Sequence, residues 1–222
     1  MSTIRIILTE DGSHSLLNEE MGETYHSRHG AIQESGYVFI SKGLNYLKTR
    51  DNSGSVSILE VGFGTGLNAW LSLQWADNQK IQLQYHSLET FPLPDEIWKA
   101  LNYSNPEGAE SFQKLHQAPW QEWSDINPFF KVYKENKSLQ SVSLEPSHFD
   151  LIYFDAFAPN KQPEMWQVPM LEKVVVAMKP GAVFVTYCAK GQLKRDLKSL
   201  GLEVESLAGP PGKREMVRAI KI

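Results

Sequence analysis

Cysteine is nearly absent from this sequence, since Cys188 is the only one among 222 residues. A lone thiol excludes an internal disulfide and any cysteine-rich zinc site. We expect Cys188, at the end of an apolar run, to be a small buried hydrophobe. His26 and His29 lie close together in the sequence but lack a third clustered ligand. We therefore predict no metal site.

Long hydrophobic runs are also missing. No apolar stretch approaches the roughly 20 residues that a membrane helix needs. The N-terminal segment MSTIRIILTEDG alternates apolar with polar or charged residues, unlike a signal or transit peptide. Hydrophobic residues make up 41% of the chain and charged residues 22%, which is ordinary for a globular protein. These features predict a cytoplasmic protein with no membrane partner.

The sequence also lacks an excess of positive charge. The formal net charge is −4, whereas phosphate contacts are normally supplied by Lys and Arg. The distribution is uneven, because residues 190–222 contain eight basic residues against four acidic ones. This segment predicts a basic face on an otherwise acidic protein. The alternative is an ordinary solvated surface on which basic residues cluster by chance.

Strands and helices alternate along most of the chain. Residues 4–17 predict a β-hairpin around an Asp-Gly turn, and Val38, Leu44 and Leu47 lie at helical spacing. Residues 51–55 read as a short polar connection. From there, compact β-branched runs such as SVSILEV alternate with helical segments, and a strand–turn–strand pair follows them.

This order predicts an α/β fold, with a mostly parallel sheet covered by helices on both faces and an antiparallel C-terminal edge. No repeat, low-complexity segment or linker interrupts it. We predict one domain over residues 1–222. It would consist of a small N-terminal β-hairpin extension (1–50) and a Rossmann-like core (55–222).

A glycine-rich motif, EVGFGTG, follows the first predicted core strand and opens a predicted helix. Glycines let the backbone approach a ligand closely, and such a loop faces the crevice where α/β sheets bind ligands. Glu60 would repel a pyrophosphate there but would attract the ammonium or sulfonium group of a methionine-derived cofactor. Glu89 ends the next strand and is placed to accept hydrogen bonds from ribose hydroxyls. The alternative is a glycine turn with only a capping role.

Asp155 ends the apolar strand FDLIYFD and faces the same crevice. A carboxylate there can position a protonated amine and stabilise the positive charge that remains on nitrogen after methylation. The aromatic-proline loop that follows could form a wall of the substrate pocket, and Trp166 lies just beyond it. The alternative is that Asp155 only caps the helix that starts near Pro163.

Several motifs together carry a family resemblance: GFGTGLNA, SLETFPL, FDAFAPNKQPEMW, VTYCAKG, GPPGKREM and the early YHSRHGAIQESGYVFISKGL. They resemble the methyltransferase domain of the bifunctional tRNA-modification family MnmC and its stand-alone form, MnmD. The resemblance extends over nearly the whole chain. It implies a class I methyltransferase fold, S-adenosylmethionine as cofactor and tRNA as partner.

The resemblance also implies a reaction. Family members methylate the 5-aminomethyl nitrogen of 5-aminomethyl(-2-thio)uridine at tRNA position 34. Bifunctional members carry an FAD-dependent oxidase domain that makes the free amine, and this sequence has no room for one. We therefore expect a separate enzyme to supply the amine, and the oligomeric state is left open.

Three groups of residues are expected to form the site. Asp155 would lie beside the acceptor amine. The cofactor would be bound by Glu60, Gly62, Phe63, Gly64, Thr65, Gly66, Asn68, Glu89, Thr90 and Asn136. The substrate would be bound by Phe157, Pro159 and Trp166, with phosphate contacts from Lys190, Lys194, Arg195, Lys213 and Arg214.

The sequence departs from the family at one point. Near the adenine the family usually has a glycine-aspartate pair, whereas residues 134–137 read Lys-Glu-Asn-Lys. Glu135 or Asn136 is the candidate substitute. Three other functions stay open: a methyltransferase of the same fold acting on a small-molecule amine, a non-catalytic cofactor-binding module, and, least favoured, an NAD-dependent oxidoreductase.

Overall fold

The computed structural model describes residues 4–50 and 54–222. Part of the polar connection predicted at 51–55 therefore lies outside the described residues. The strands are β1 (Ile4–Leu8), β2 (His14–Asn18), β3 (Glu23–Thr24), β4 (Ser55–Val61), β5 (Gln82–Leu88), β6 (Trp123–Asn127), β7 (Phe130–Glu135), β8 (Phe149–Phe154), β9 (Met178–Thr186), β10 (Leu202–Ala208) and β11 (Glu215–Lys221). The α-helices are α1 (Ala31–Ser35), α2 (Tyr46–Arg50), α3 (Leu67–Gln79), α4 (Asp95–Trp98), α5 (Ala109–Gln117), α6 (Val168–Ala177) and α7 (Gly191–Ser199).

The N-terminal sheet confirms the predicted hairpin and adds a third strand. β1 and β2 pair antiparallel, and the two-residue β3 pairs with β2. Asp11 fixes the turn, because its Oδ1 accepts hydrogen bonds from the Thr9 hydroxyl at 2.7 Å and from the Ser13 amide at 3.0 Å. Gly12 has the positive φ of 80° that such a turn favours in glycine.

A continuous helical segment follows this sheet. α1 passes into a π-helical stretch, Gly36–Asn45, and then into α2. The predicted helical spacing is confirmed, since Val38, Leu44 and Leu47 are all buried. Gly43 allows this segment to lie directly on the main sheet, because a Cβ there would come within 3.3 Å of Tyr153 and Val185.

The main sheet has eight strands in the order β10-β11-β9-β8-β4-β5-β7-β6. The five strands from β9 to β7 run parallel, and β11 and β10 form the predicted antiparallel C-terminal edge. β6 adds an antiparallel strand at the other edge. The chain moves outward from β4 to one side and then returns to β8 on the other. The carboxyl end of β4 therefore lies at a topological switch point, where such sheets bind ligands.

Helices cover both faces of this sheet, as predicted. Alternate residues of a strand point to opposite faces, and here both sets are buried. Ile58 and Leu151 belong to one hydrophobic cluster, and their chain neighbours Leu59 and Ile152 belong to the other. A 3₁₀ turn, Pro163–Trp166, precedes α6, and Pro169 lies in the first turn of that helix. Cys188 is buried, as expected.

Candidate functional site

A cavity of about 1150 Å³ opens at the carboxyl ends of β4, β5 and β8. A second and smaller cavity, of about 260 Å³, lies apart from it beside Leu47 and Asp150. The loops after β4, β5 and β8 form the floor of the larger cavity, and the N-terminal sheet covers one side. The lining residues used below are Tyr25, His26, Glu34, Val61, Gly62, Phe63, Gly64, Thr65, Asn68, Glu89, Thr90, Phe91, Lys137, Ser138, Leu139, Gln140, Asp155, Phe157, Gln162, Tyr187 and Lys213.

The glycine loop has the geometry that its sequence predicts. Gly62, Gly64 and Gly66 have φ values of 97°, 50° and 73°, a region that other residues rarely adopt. A Cβ on Gly62 would lie 2.9 Å from the carbonyl oxygen of Asp155. Only glycine therefore lets the loop after β4 pack against the loop after β8. α3 begins directly after Gly66.

Glu89 is tied to the glycine loop. Its Oε2 accepts a hydrogen bond from the Gly64 amide at 2.9 Å, and its Oε1 accepts one from the Phe91 amide at 2.8 Å. Each carboxylate oxygen can accept a further bond, so both stay available to ribose hydroxyls. Thr90 lines the cavity beside it. We call the glycine loop, residues 62–66, together with Glu89 the cofactor end of the cavity.

Residues 134–137, where the sequence departs from the glycine-aspartate pair of the family, have different surroundings in the structure. Lys134 is buried and donates a 2.6 Å hydrogen bond to the His116 carbonyl, while buried Glu135 pairs with His86 and Lys137. Asn136 is exposed and does not line the cavity. Its amide donates to the Glu89 carbonyl at 2.8 Å, so it supports the backbone at the cofactor end. The next four residues, 137–140, line the cavity instead.

Asp155 and Asn68 form the central polar contact of the site. Asn68 lies in the first turn of α3, and its Nδ2 donates a 2.8 Å hydrogen bond to Asp155 Oδ2. Asp155 is half-buried at the end of β8. Burial raises the pKa of Asp155 to about 7, against the opposing effect of the Asn68 bond. A carboxyl group that titrates near neutrality is suited to exchanging protons with a substrate.

Glu60 lies behind this contact and does not line the cavity. It is fully buried at the end of β4, and its Oε2 accepts a 2.5 Å hydrogen bond from the Ser87 hydroxyl. Burial raises the pKa of Glu60 to about 8, so its neutral form dominates at pH 7. Within the described residues, Glu60 Oε1 and Asn68 Oδ1 are both buried without a partner. The predicted contact of Glu60 with the cofactor stays a prediction.

The N-terminal region supplies a wall that the sequence analysis did not assign to the site. Tyr25 lies against the glycine loop, because a Cβ on Gly64 would come within 3.2 Å of its ring. Its ring also meets Phe157 edge-on at 5.1 Å. His26 shares 3.4 Å hydrogen bonds with the hydroxyls of Ser15 and Thr65. Burial lowers the pKa of His26 to about 4, so its ring is neutral.

A second group lines the same cavity as Asp155, and its members Glu34 and Tyr187 were not expected from the sequence. Glu34, on α1, is buried and forms an ion pair with Lys213. The Lys213 ammonium lies 3.9 Å from the centroid of the Tyr187 ring. The Tyr187 hydroxyl donates a 2.8 Å hydrogen bond to the Ala156 carbonyl, which fixes the loop after β8. We call Glu34, Asp155, Tyr187 and Lys213 the acceptor end of the cavity.

The loop after β8 contributes one of its three predicted substrate residues to the cavity lining. Phe157 lines the cavity, whereas Pro159 and Trp166 do not. Trp166 is buried, packs on Phe154 and donates a 2.8 Å hydrogen bond to the Phe157 carbonyl. Its position supports the loop from beneath. The indole is therefore placed to hold Phe157 in position, and stacking of Trp166 on a base stays a prediction.

The five predicted phosphate contacts do not form one uniform set. Lys190, Arg195 and Arg214 are exposed. Lys194 pairs with Glu215 at 2.6 Å. Lys213 lines the cavity, and its contact with a phosphate stays a prediction. Of these five residues, the three exposed ones would contribute most directly to the predicted basic face.

In residues 4–50 and 54–222, no three His, Cys, Asp or Glu side chains are grouped so that they could hold a metal ion. No helix in the same residues is long and apolar enough to cross a membrane.

The cavity fits S-adenosylmethionine in size and in chemistry. The glycine loop leaves room for close backbone approach, and Glu89 offers carboxylate oxygens for hydroxyl groups. The residues that sequence reasoning missed are Tyr25, His26 and Glu34 from the N-terminal region, and Gln140, Gln162 and Tyr187 from loops. For Lys213, the sequence offered only its place in the motif GPPGKREM. The motif does not indicate that the Lys213 side chain points into the cavity.

Comparisons with known proteins agree with this geometry. The chain is similar to the tRNA 5-methylaminomethyl-2-thiouridine biosynthesis bifunctional protein MnmC of Nitrosospira multiformis, with 28% identity over 217 residues, 91% of this chain and 35% of that protein. It is 30% identical to the MnmC protein of Methylobacillus flagellatus over 214 residues, 88% of this chain and 32% of that protein. The chain thus spans about a third of the length of these curated relatives.

A solved structure extends the likeness to three dimensions. MnmC2 from Aquifex aeolicus superposes with a TM-score of 0.80 and 26% identity, covering 99% of this chain and 70% of that one. The predicted class I methyltransferase fold is confirmed. The family model for S-adenosyl-L-methionine-dependent methyltransferases matches residues 108–222, more than half of the sequence. The protein belongs to the S-adenosyl-L-methionine-dependent methyltransferase family, and its cofactor is S-adenosylmethionine.

Proposed function

We propose that this methyltransferase acts on tRNA and methylates the 5-aminomethyl nitrogen of a 5-aminomethyl(-2-thio)uridine at the wobble position. The observation that carries the proposal is Asp155, a carboxyl group held by Asn68 at the carboxyl end of β8 inside the cavity. The names of the relatives, which place them in 5-methylaminomethyl-2-thiouridine biosynthesis, support the choice of substrate.

Asp155 has the properties that an amine substrate requires. A primary amine is largely protonated at neutral pH, and it must lose a proton before its lone pair can attack a methyl group. Asn68 occupies Oδ2 of Asp155, which leaves Oδ1 to accept a hydrogen bond from the amine. The carboxylate can take the proton or stabilise the positive charge on the methylated nitrogen.

Positioning accounts for much of the remaining catalysis. When bound, S-adenosylmethionine supplies a methyl group that is already activated by the sulfonium. The chain therefore has to align the amine and exclude water. Phe157 and Tyr25 form an aromatic corner beside the glycine loop, and the buried Trp166 indole holds the Phe157 backbone in place. These contacts make a rigid wall around the proposed acceptor.

The substrate implies two further proposals. A wobble uridine would have to be flipped out of the anticodon loop to reach Asp155, and exposed Lys190, Arg195 and Arg214 are the proposed contacts with the tRNA backbone. A separate enzyme would generate the 5-aminomethyl group. Action on tRNA would place the protein in the cytoplasm.

The test is methyl transfer from radiolabelled S-adenosylmethionine to tRNA that carries 5-aminomethyluridine at position 34. Wild-type protein should label the wobble base, and Asp155→Asn should lower turnover by at least ~100-fold while it retains cofactor binding. Asp77→Asn is the matched control, because Asp77 is an exposed acid near the far end of α3 that pairs only with Lys80 among the described residues.

Other outcomes separate the alternatives. Labelling of free nucleosides or polyamines, with none on tRNA, would favour the small-molecule methyltransferase. Cofactor binding without transfer to any tRNA pool or amine would favour the non-catalytic module. Full activity of Asp155→Asn on tRNA would remove the proposed role of Asp155 but keep the substrate.

A further inference from the structure

Lys213 is placed inside the cavity by the turn between β10 and β11. This turn is closed by hydrogen bonds from the Lys213 amide to the Pro210 carbonyl and from the Gly209 amide to the Arg214 carbonyl. Gly212 has a φ of 81°, and a Cβ there would collide with the ring of His29. The turn therefore packs tightly against the N-terminal region, and it directs one lysine side chain inward.

Two neighbours hold the ammonium group of Lys213 in place. Glu34 forms an ion pair with it, and Glu34 Oε2 also accepts a 2.6 Å hydrogen bond from the Ser27 amide. The Tyr187 ring lies 3.9 Å from the ammonium on another side. The Lys213 side chain is 31% exposed, whereas that of Glu34 is 7% exposed. The cation is thus anchored from behind and open toward the cavity.

This arrangement leaves one hydrogen-bond donor for a ligand. An ammonium group has three N–H bonds. Within the described residues, one is directed to Glu34 and one side of the group faces the Tyr187 ring. The remaining N–H can reach an acceptor in the cavity, beside the Asp155 carboxyl that lines the same space.

The chemistry of the proposed substrate supplies such an acceptor. In a 5-aminomethyluridine, the ring atom next to the aminomethyl-bearing carbon carries the carbonyl oxygen O4. An amine held by Asp155 therefore brings O4 toward the neighbouring residues of the acceptor end. A cytosine carries an amino group at the same position, which donates hydrogen bonds and offers a lysine ammonium no acceptor there.

We propose that Lys213 is a specificity residue that donates a hydrogen bond to the O4 carbonyl of the acceptor base, and that Glu34 and Tyr187 position its ammonium for this contact. The inference rests on the proposed function and adds the selection of uracil over cytosine. It replaces the phosphate contact expected of Lys213, because a side chain anchored by a buried carboxylate inside the cavity is not free to follow a tRNA backbone.

The test compares two RNA substrates that differ only at the base. Anticodon stem-loops carry either 5-aminomethyluridine or 5-aminomethylcytidine at position 34, and kcat and KM are measured for each at saturating cofactor. Wild-type protein should favour the uridine by at least ~100-fold, because a site built around a hydrogen bond rejects a base that cannot form it. Lys213→Met should lose roughly 10- to 100-fold in kcat/KM on the uridine and little on the cytidine.

Two further variants keep this result interpretable. Lys213→Met leaves the buried Glu34 carboxylate without its counterion, so it can destabilise the fold. The double variant Glu34→Gln/Lys213→Met removes both charges and keeps an oxygen for the Ser27 amide, and it should show the same loss of base selection. Lys114→Met is the control, since Lys114 is an exposed lysine of α5 that pairs with Glu110. Cofactor affinity and thermal unfolding are recorded for every variant.

The possible results distinguish a failure of this inference from a failure of the proposed function. If wild-type protein methylates the uridine substrate but the double variant retains wild-type selection, the specificity role falls and the proposed function stands. Equal activity of wild-type protein on both bases has the same meaning. If wild-type protein binds the cofactor but methylates neither stem-loop nor tRNA, both proposals fall.

Discussion

The two ends of the cavity are built in different ways. The cofactor end joins segments that are close in the sequence, since Gly64 and Glu89 are 25 residues apart and both follow neighbouring parallel strands. The acceptor end joins α1 to the β10–β11 turn, and the ion pair between Glu34 and Lys213 links residues 179 positions apart. The parallel sheet alone creates the first end. The second also requires the N-terminal region and the antiparallel edge.

The chemistry of the two ends differs as well. The cofactor end relies on backbone amides and glycine conformations, which depend on packing but hardly on pH. The acceptor end relies on charged side chains that are buried or partly buried, and burial raises the pKa of Asp155 to about 7. The comparison teaches that one parallel sheet can supply the cofactor site while other segments of the chain build the acceptor pocket. Four experiments test it, from the largest expected effect to the smallest.

Gly62→Ala should have the largest effect, because it strains the backbone where the two ends touch. Its φ is 97°, and the new Cβ would lie 2.9 Å from the Asp155 carbonyl oxygen. We expect a loss of about 1–3 kcal/mol in the free energy of unfolding and a loss of cofactor affinity of at least ~10-fold, measured by urea denaturation and calorimetric titration. Gly181→Ala is the matched control, with a φ of 78° but no atom within 4 Å of the new Cβ. Equal losses in both variants would show that close approach at Gly62 is unimportant.

The pH dependence of transfer should report the acceptor end. The Asp155 carboxylate must be ionised to accept a proton, and its pKa is raised to about 7. Because the required form is lost as pH falls through 7, kcat/KM should be roughly tenfold lower at pH 6 than on its plateau. The charged or titratable groups that interact with it include Glu34, Lys213, Glu60, Tyr85 and Tyr187. In Asp155→Asn, the fall in kcat/KM on the acidic side of the pH profile should disappear. An unchanged fall would assign this pH dependence to the substrate amine.

Charge reversal on the exposed basic face should affect neither end directly. Lys190→Glu combined with Arg195→Glu should raise the KM for tRNA roughly 5- to 30-fold at physiological salt, since each phosphate contact contributes about 0.5–1 kcal/mol at an exposed site. Cofactor affinity should stay at the wild-type value. The effect should shrink at higher salt. An unchanged KM would remove this face from the docking model.

Glu60→Gln should have the smallest effect on binding. Glu60 is fully buried behind the cavity, so its replacement should change cofactor affinity by less than ~2-fold at pH 7. A loss of ~10-fold or more would favour the direct contact predicted from the sequence. Its stability effect should depend on pH instead. The folded pKa of about 8 lies above the ordinary value of 4.5, so the wild-type fold loses stability relative to the variant as pH rises from about 4.5 to about 8. Urea denaturation at pH 6 and pH 9 would measure this difference.

The sequence was most informative where local pattern decides structure. β4, α3 and β5 follow from β-branched runs, helical spacing and the glycine motif, and their order fixes where the cofactor end lies. β6 was missed because Trp123–Asn127 is a short polar edge strand that buries only Ile126. The two-residue β3 offers too few residues for any pattern to appear.

Side-chain direction was the harder problem. Trp166 and Phe157 lie in one motif, yet one is buried beneath the loop and the other lines the cavity. Lys213 and Arg214 are adjacent, but only Lys213 meets Glu34. Such outcomes depend on contacts between segments that are distant along the chain, and a single sequence does not record these. Glu60 shows the same limit, because its motif fixes its strand position but not whether the carboxylate reaches a ligand.

The link between Glu34 and Lys213 also has a consequence for the order of events during synthesis. Closing a contact across 179 positions requires that the turn between β10 and β11 has left the ribosome. The glycine loop and Glu89 lie on strands made much earlier, and local contacts form before distant ones at lower entropic cost. A growing chain could therefore acquire its cofactor pocket before it can select a methyl acceptor. Base selection would then depend on β10 and β11, which are made after the strands of the cofactor end.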